Sequence, residues 1–130
     1  MLKIYTDSSY KNGASTHHYY VMKGNKKIKR RTFIGFDSSS TKAEATTIIK
    51  ALQMVMKKDW EGVTIYTDSL VTVFGVKHGK FSNEDYRYIA HLLKATKSNI
   101  KWKNRKHYRI KIADTECRKM MQTKLRRAVV

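Results

Sequence analysis

Apolar and β-branched residues recur along the chain with two spacings. Short runs predict strands at Leu2–Thr6, His17–Lys23, Lys27–Gly35, Val63–Thr67 and Ile100–Lys103. Asp7-Ser8-Ser9 and Lys11-Asn12-Gly13 predict a loop after the first strand, and Gly24-Asn25 predicts a hairpin turn between the second and third. From Ala45 the spacing changes. Ala45, Ile48, Ile49, Leu52, Val55 and Met56 fall three and four residues apart and predict a helix ending near Trp60-Glu61-Gly62. Further helices are expected over Ser69–Val76, over Ser82–Lys97 with Ser82 or Asn83 as its cap, and over Ile112–Arg127. The order β-β-β-α-β-α-α-β-α predicts an α/β fold. Its five-stranded mixed sheet is an antiparallel meander followed by parallel strands, flanked by helices.

Composition sharpens this picture. The chain has 130 residues, no proline and no linker-like tract, so residues 1–130 are expected to form a single domain. One cysteine, Cys117, excludes an internal disulfide and suits a reducing compartment, so a cytoplasmic location is expected. No apolar run is long enough to span a membrane, and the N-terminal residues lack the apolar core of a signal peptide. Lys and Arg number 28 against 10 acids, a formal charge of +18. Such a surface attracts polyanions, and nucleic acid is the expected partner rather than a membrane. No obligate protein partner is expected, and the chain is read as a monomer.

In so basic a chain the few acids carry information. The pentapeptide IYTDS occurs at Ile4–Ser8 and again at Ile65–Ser69, with unrelated flanks that argue against duplication. If the first and fourth strands are parallel neighbours, Asp7 and Asp68 project at one sheet edge, where α/β folds place ligands. Taken singly, each is an ordinary turn residue. Spacing alone explains Glu44 as the partner of Thr41 in a capping box, and Asp114 as a carboxylate complementing a helix N-terminus.

Five segments, in order, resemble ribonuclease H, type 1. They are IYTDSS, KAEATTIIKAL, TIYTDSL, IKWKNRKH and IADTECRKM. The resemblance runs from Met1 to about Met121 and implies the ribonuclease H-like fold. Matched residue by residue, it implies that Asp7, Glu44, Asp68 and Asp114 are four metal-binding acids and that His107 assists the reaction. Ser8-Ser9 stand where the family has glycine after the aspartate, Lys106 replaces its glycine before the histidine, and the stretch from His107 to Asp114 is short.

The implied activity is endonucleolytic cleavage of the RNA strand of RNA/DNA hybrids, leaving 5′-phosphate and 3′-hydroxyl ends. Crowded carboxylates repel one another unless cations bridge them, and oxygen-only ligands select Mg²⁺ or Mn²⁺. Two ions per site are expected, with Asp7 shared between them. Small polar residues, namely Ser8, Ser9, Asn12, Ser40 and Ser69, are candidates for contacts to the RNA strand. Lys101, Lys103, Arg105, Lys106, Arg109 and Lys111 form the densest basic run and are candidates for the DNA strand, with Lys26–Arg31 next in density. Trp102 is expected to pack in the core. Two alternatives stand beside this reading: a catalytically impaired nucleic-acid-binding module of the same fold, and a metal-dependent DNA nuclease of the resolvase or integrase kind.

Overall fold

Asn12 and Gly13 both adopt positive φ, 51° and 81°, and reverse the chain between Lys11 and Ala14. Asn-Gly is the pair best suited to a two-residue hairpin turn, because both positions need left-handed backbone. The structure is a computed structural model that describes residues 1–79 and 83–129, from 124 onward by backbone alone. Its first strand, β1 (Leu2–Lys11), runs straight through Asp7-Ser8-Ser9, where a loop was expected. Ten register pairs with β2 (Ala14–Lys23) hold it extended and outweigh the turn preference of those residues. Gly24, at φ 61°, turns the chain into β3 (Lys26–Phe36).

Helix α1 (Ser40–Lys57) then crosses over to β4 (Thr64–Thr67), which pairs parallel with β1. Helices α2 (Leu70–Lys77) and α3 (Glu84–Ala95) lead to β5 (Asn99–Trp102), parallel to β4, and α4 (Tyr108–Val129) follows. The strand order is β3-β2-β1-β4-β5, the mixed five-stranded sheet the sequence predicted. Asn83 caps α3, accepting from the Tyr86 N–H; the alternative cap, Ser82, lies outside the described residues. Among those residues, no helix is long and apolar enough to cross a membrane.

Alternation along the strands sorts the core into two layers. Ile4, Tyr19, Val21, Ile65 and Ile100 pack with Ile48, Leu52 and Val55 of α1 and Ile89 of α3. Each such side chain contributes about 1.5–3 kcal/mol by leaving water. On the opposite face Tyr20, Tyr5 and Tyr66 stack across β2, β1 and β4, with centroids 5.3 and 5.1 Å apart, beneath Ile110 and Ala113 of α4. Two polar contacts pin α4 there. The Tyr20 hydroxyl donates to the Arg109 carbonyl at 2.6 Å, and Thr16 Oγ1 donates to the Cys117 carbonyl at 3.0 Å.

Candidate active site

The two IYTDS copies lie side by side. Ile4 pairs with Ile65 and Tyr5 with Tyr66. The parallel ladder then stops, and the strands part where each copy reaches its aspartate. Asp68 follows the end of β4, while Asp7 stays inside β1, opposite His18. The Sγ of Cys117, buried on α4, donates to the Asp7 carbonyl at 3.3 Å.

Glu44 arrives from α1. The capping box expected for it is not formed: Ser39 caps the helix and accepts from the Lys42 N–H, which places Glu44 in the second turn. Its carboxylate instead accepts from Ser8 Oγ at 2.6 Å and Thr67 Oγ1 at 3.4 Å. One carboxylate oxygen from each of Asp7, Glu44 and Asp68 lies within 4.8 Å of the others. Asp114 lines the same cavity, of about 410 Å³. Because α4 begins at Tyr108, Asp114 is the seventh residue of the helix, too far in to serve its N-terminus.

This crowding shows in the proton affinities. Burial, then the charges of Glu44, Asp68 and Asp114 and a hydrogen bond with Asp114, push Asp7 up to about 9. Burial is also the main cause that brings Glu44 up to about 7; the Ser8 hydrogen bond opposes it, and the Asp68 charge adds to the rise. Asp68 is raised by burial and held back by Arg105, whose Nε stands 3.7 Å from Oδ2. Groups pushed toward protonation by desolvation and like charge are restored as carboxylates by hard cations among them. The donor set is all oxygen and fits Mg²⁺ or Mn²⁺.

The other expected site residues divide. Ser8, Ser40, Ser69, Arg105 and Lys106 line the cavity with the acids. Ser69 also caps α2. Ser9 lies further along β1 opposite Thr16, and Asn12 occupies the hairpin turn; neither lines the cavity. Lys101 is on the edge strand β5, and Lys103 Nζ lies 4.8 Å from the centre of the Tyr66 ring, both away from the lining. His107 is also outside it. Its Nδ1 accepts the Arg109 N–H at 3.2 Å, and its ring stacks on Tyr108, so it closes the start of α4. Slight burial and the cations of Lys103 and Arg109 hold its imidazole below the ordinary value. Trp102 is half-exposed rather than in the core, and its Nε1 donates to the Asp68 carbonyl at 3.3 Å.

Lys111, from the same basic run, also lines the cavity, and so does Arg118, which sequence reasoning missed. Arg118 Nε is 3.1 Å from Asp114 Oδ2, one helical turn away. The i, i+4 spacing of the two was the available signal.

Solved structures resemble this arrangement of elements. A ribonuclease H1 from Halobacterium salinarum superposes with a TM-score of 0.72 at 12% identity, over 80% of this chain and 86% of that one. The N-terminal ribonuclease H domain of a Mycobacterium tuberculosis protein gives 0.74 at 15%, over 94% and 96%. The chain has the ribonuclease H-like fold. LC11 ribonuclease H1, recovered from compost and solved with an RNA/DNA hybrid, gives 0.69 at 16%, over 81% and 86%. No family model matches the chain, and no curated protein matches its sequence. At these identities the ribonuclease H-like likeness is one of architecture.

Proposed function

We propose that this chain cleaves the RNA strand of RNA/DNA hybrids by metal-dependent phosphodiester hydrolysis, leaving 5′-phosphate and 3′-hydroxyl ends. The observation that carries the reading is the gathering of Asp7, Glu44 and Asp68 within 4.8 Å, with Asp114 in the same cavity, in a chain of charge +18. Arg105 stands beside Asp68 and Arg118 beside Asp114, but among the described residues no ion pair reaches Asp7 or Glu44, the most buried of the four.

Asp7, Glu44, Asp68 and Asp114 would hold two divalent ions. Bound there, the ions supply a Lewis acid for an attacking water and a counter-charge for the leaving oxygen. The chain's own residues do the rest. Ser8 and Thr67 hold the Glu44 carboxylate in one orientation. Arg105, Lys106, Lys111 and Arg118 surround the acids and draw phosphates in. Ser40 and Ser69 offer hydroxyls at the cavity wall to the sugar edge of the RNA strand. Lys101 on the edge strand and Lys103 just past its end extend the positive surface beyond the cavity. We place the activity in the cytoplasm, in a monomer.

A second reading, binding without cleavage, draws on one observation: His107 caps a helix outside the cavity. One experiment separates the two. An end-labelled hybrid is incubated with Mg²⁺ or Mn²⁺ beside single-stranded RNA, duplex RNA and duplex DNA, with Asp68→Asn as the control for contaminating nuclease. Cleavage confined to the RNA strand of the hybrid, and lost in the variant, is the expected result. Binding to every substrate with no cleavage under either metal establishes the second reading, and cleavage of duplex DNA points to a resolvase-like enzyme.

A further inference from the structure

A second polar cluster lies between the sheet and α1, apart from the carboxylate site. His17, on β2, is fully buried, and its ring stacks on Phe33 with centroids 4.6 Å apart. Its Nε2 is 3.2 Å from Asp37 Oδ2 and 2.9 Å from Ser15 Oγ. Ser15 Oγ donates to the same Asp37 oxygen at 2.5 Å, and Thr46 Oγ1 donates to the other at 3.1 Å. On the far side of the ring, Nδ1 is 2.7 Å from Thr47 Oγ1. Thr46 Oγ1 and Thr47 Oγ1 also donate to the Lys42 and Ala43 carbonyls of their own helix, at 2.9 and 3.1 Å, so the imidazole, bridging Asp37 and Thr47 through its two nitrogens, links the strand to both. Burial holds the imidazole below its ordinary value, with Asp37 and the Ala43 carbonyl opposing.

The same residue types build nucleophilic triads, but there the serine passes its proton to the imidazole. Here Ser15 donates to the carboxylate, and both Ser15 and His17 are sealed from solvent. No substrate reaches them.

The placement points elsewhere. Asp37 lies at the junction of β3 and α1, just before the Ser39 cap, and Thr46 and Thr47 belong to α1 itself. The cluster therefore ties β2, the junction and the helix at one level. Glu44 stands on the same turn of α1 as Thr47. Gly35 leaves room for this: a Cβ there would stand 3.1 Å from His17 Nε2 and 3.3 Å from Ser15 Oγ. Polar groups in a core cost stability unless fully paired, and apolar packing would hold the helix as firmly. What a closed hydrogen-bond set adds is a single allowed position.

We infer that Ser15, His17, Asp37, Thr46 and Thr47 form a positioning unit that fixes the height and rotation of α1, and so sets where Glu44 presents its carboxylate to Asp7 and Asp68. The inference rests on the reading that these acids hold divalent ions. Supporting residues around metal ligands are worth about 10–100-fold in affinity.

The test is calorimetric titration of the full chain with Mn²⁺, without nucleic acid, alongside its melting temperature. Thr47→Val and Asp37→Asn are expected to weaken Mn²⁺ binding by about 10-fold or more. Thr47→Ser, which keeps the hydroxyl, is expected to bind like the parent. Placed on a Glu44→Gln background, Thr47→Val is expected to cost no further affinity, because the ligand it positions is gone. Gly35→Ala, pressing on the cluster from the opposite side, is expected to repeat the Thr47→Val effect. The inference is overturned if Thr47→Val and Asp37→Asn lower the melting temperature yet bind Mn²⁺ within 2-fold of the parent. It is equally overturned if the loss persists on the Glu44→Gln background. A parent chain that binds no Mn²⁺ overturns the reading of the acids themselves, and the inference with it.

Discussion

Asp7 and Asp68 hold the same place in one five-letter word, and the tyrosines two residues before them pair on neighbouring strands, yet their surroundings differ. Asp7 is inside a strand, 4% exposed, with its own carbonyl taken by Cys117. Asp68 is past the end of its strand, with Arg105 beside it and the indole of Trp102 on its carbonyl. Burial raises both, but only Asp68 has a cation among the causes that oppose the rise. An identical word fixes the register; what each copy does is decided by residues distant in sequence. Asp7 is thus the strained half of the pair and Asp68 the relieved half.

The largest effect should come from removing the strained half. Asp7→Asn should reduce hybrid cleavage more than about 100-fold, beyond what supporting residues around a metal cost. It should at the same time raise the melting temperature of the metal-free protein at pH 8, whereas Asp68→Asn should lose activity with a smaller thermal gain. Calorimetry and single-turnover cleavage of both variants check this. Equal thermal gains would erase the distinction between the two aspartates.

The pH dependence follows with a definite sign. Asp7 and Glu44 hold their protons to higher pH in the folded chain than in the unfolded one. Between the ordinary carboxylate range and about pH 9 the folded state therefore binds more protons, and these groups withdraw stability as pH rises. In chelator, the melting temperature of the parent should fall between pH 6 and pH 9 more steeply than that of Asp7→Asn. A difference of about 1 kcal/mol corresponds to roughly 3–5 °C in a chain of this size.

Divalent cations should reverse that slope. Ligands that bind the folded state stabilise it, and these bind best to ionised acids. Mg²⁺ should raise the melting temperature more at pH 8 than at pH 6, and Asp7→Asn should abolish the difference. The smallest effect belongs to the relieved half. Arg105 is largely exposed, so Arg105→Ala should raise KM for the hybrid only a few-fold and lower the salt slope of binding by about one. A loss of kcat instead would make Arg105 part of the chemistry.

Much of this molecule is legible in its letters because the patterns concerned are local. The helical spacing from Ala45 to Met56 and the alternating runs of the meander suffice for the order of elements. The repeated pentapeptide anticipates that Asp7 and Asp68 stand together. The misreadings come where a distant partner outweighs a local preference. Asp7-Ser8-Ser9 favour a turn, but β2 holds them extended. Thr41 and Glu44 have the spacing of a capping box, but Ser39 takes the cap and Ser8 takes the glutamate. Asn12-Gly13 is a hairpin signal that was present in the sequence and read as plain loop. The His17 cluster joins β2 to the β3–α1 junction and α1 through contacts that no spacing rule encodes.

The continuity of β1 through Asp7 bears on how the protein breathes. Strand β1 is the middle of five, paired on both sides before Asp7 and still paired with β2 beyond it. Central strands open only with the whole molecule, whereas chain ends and loops open locally at far lower cost. Amide hydrogens along β1 up to Asp7 should then exchange with deuterium at the rate of global unfolding, and those around Asp68 to Ser69 much sooner. One wall of the cavity is as permanent as the fold, and access to it is controlled by the other.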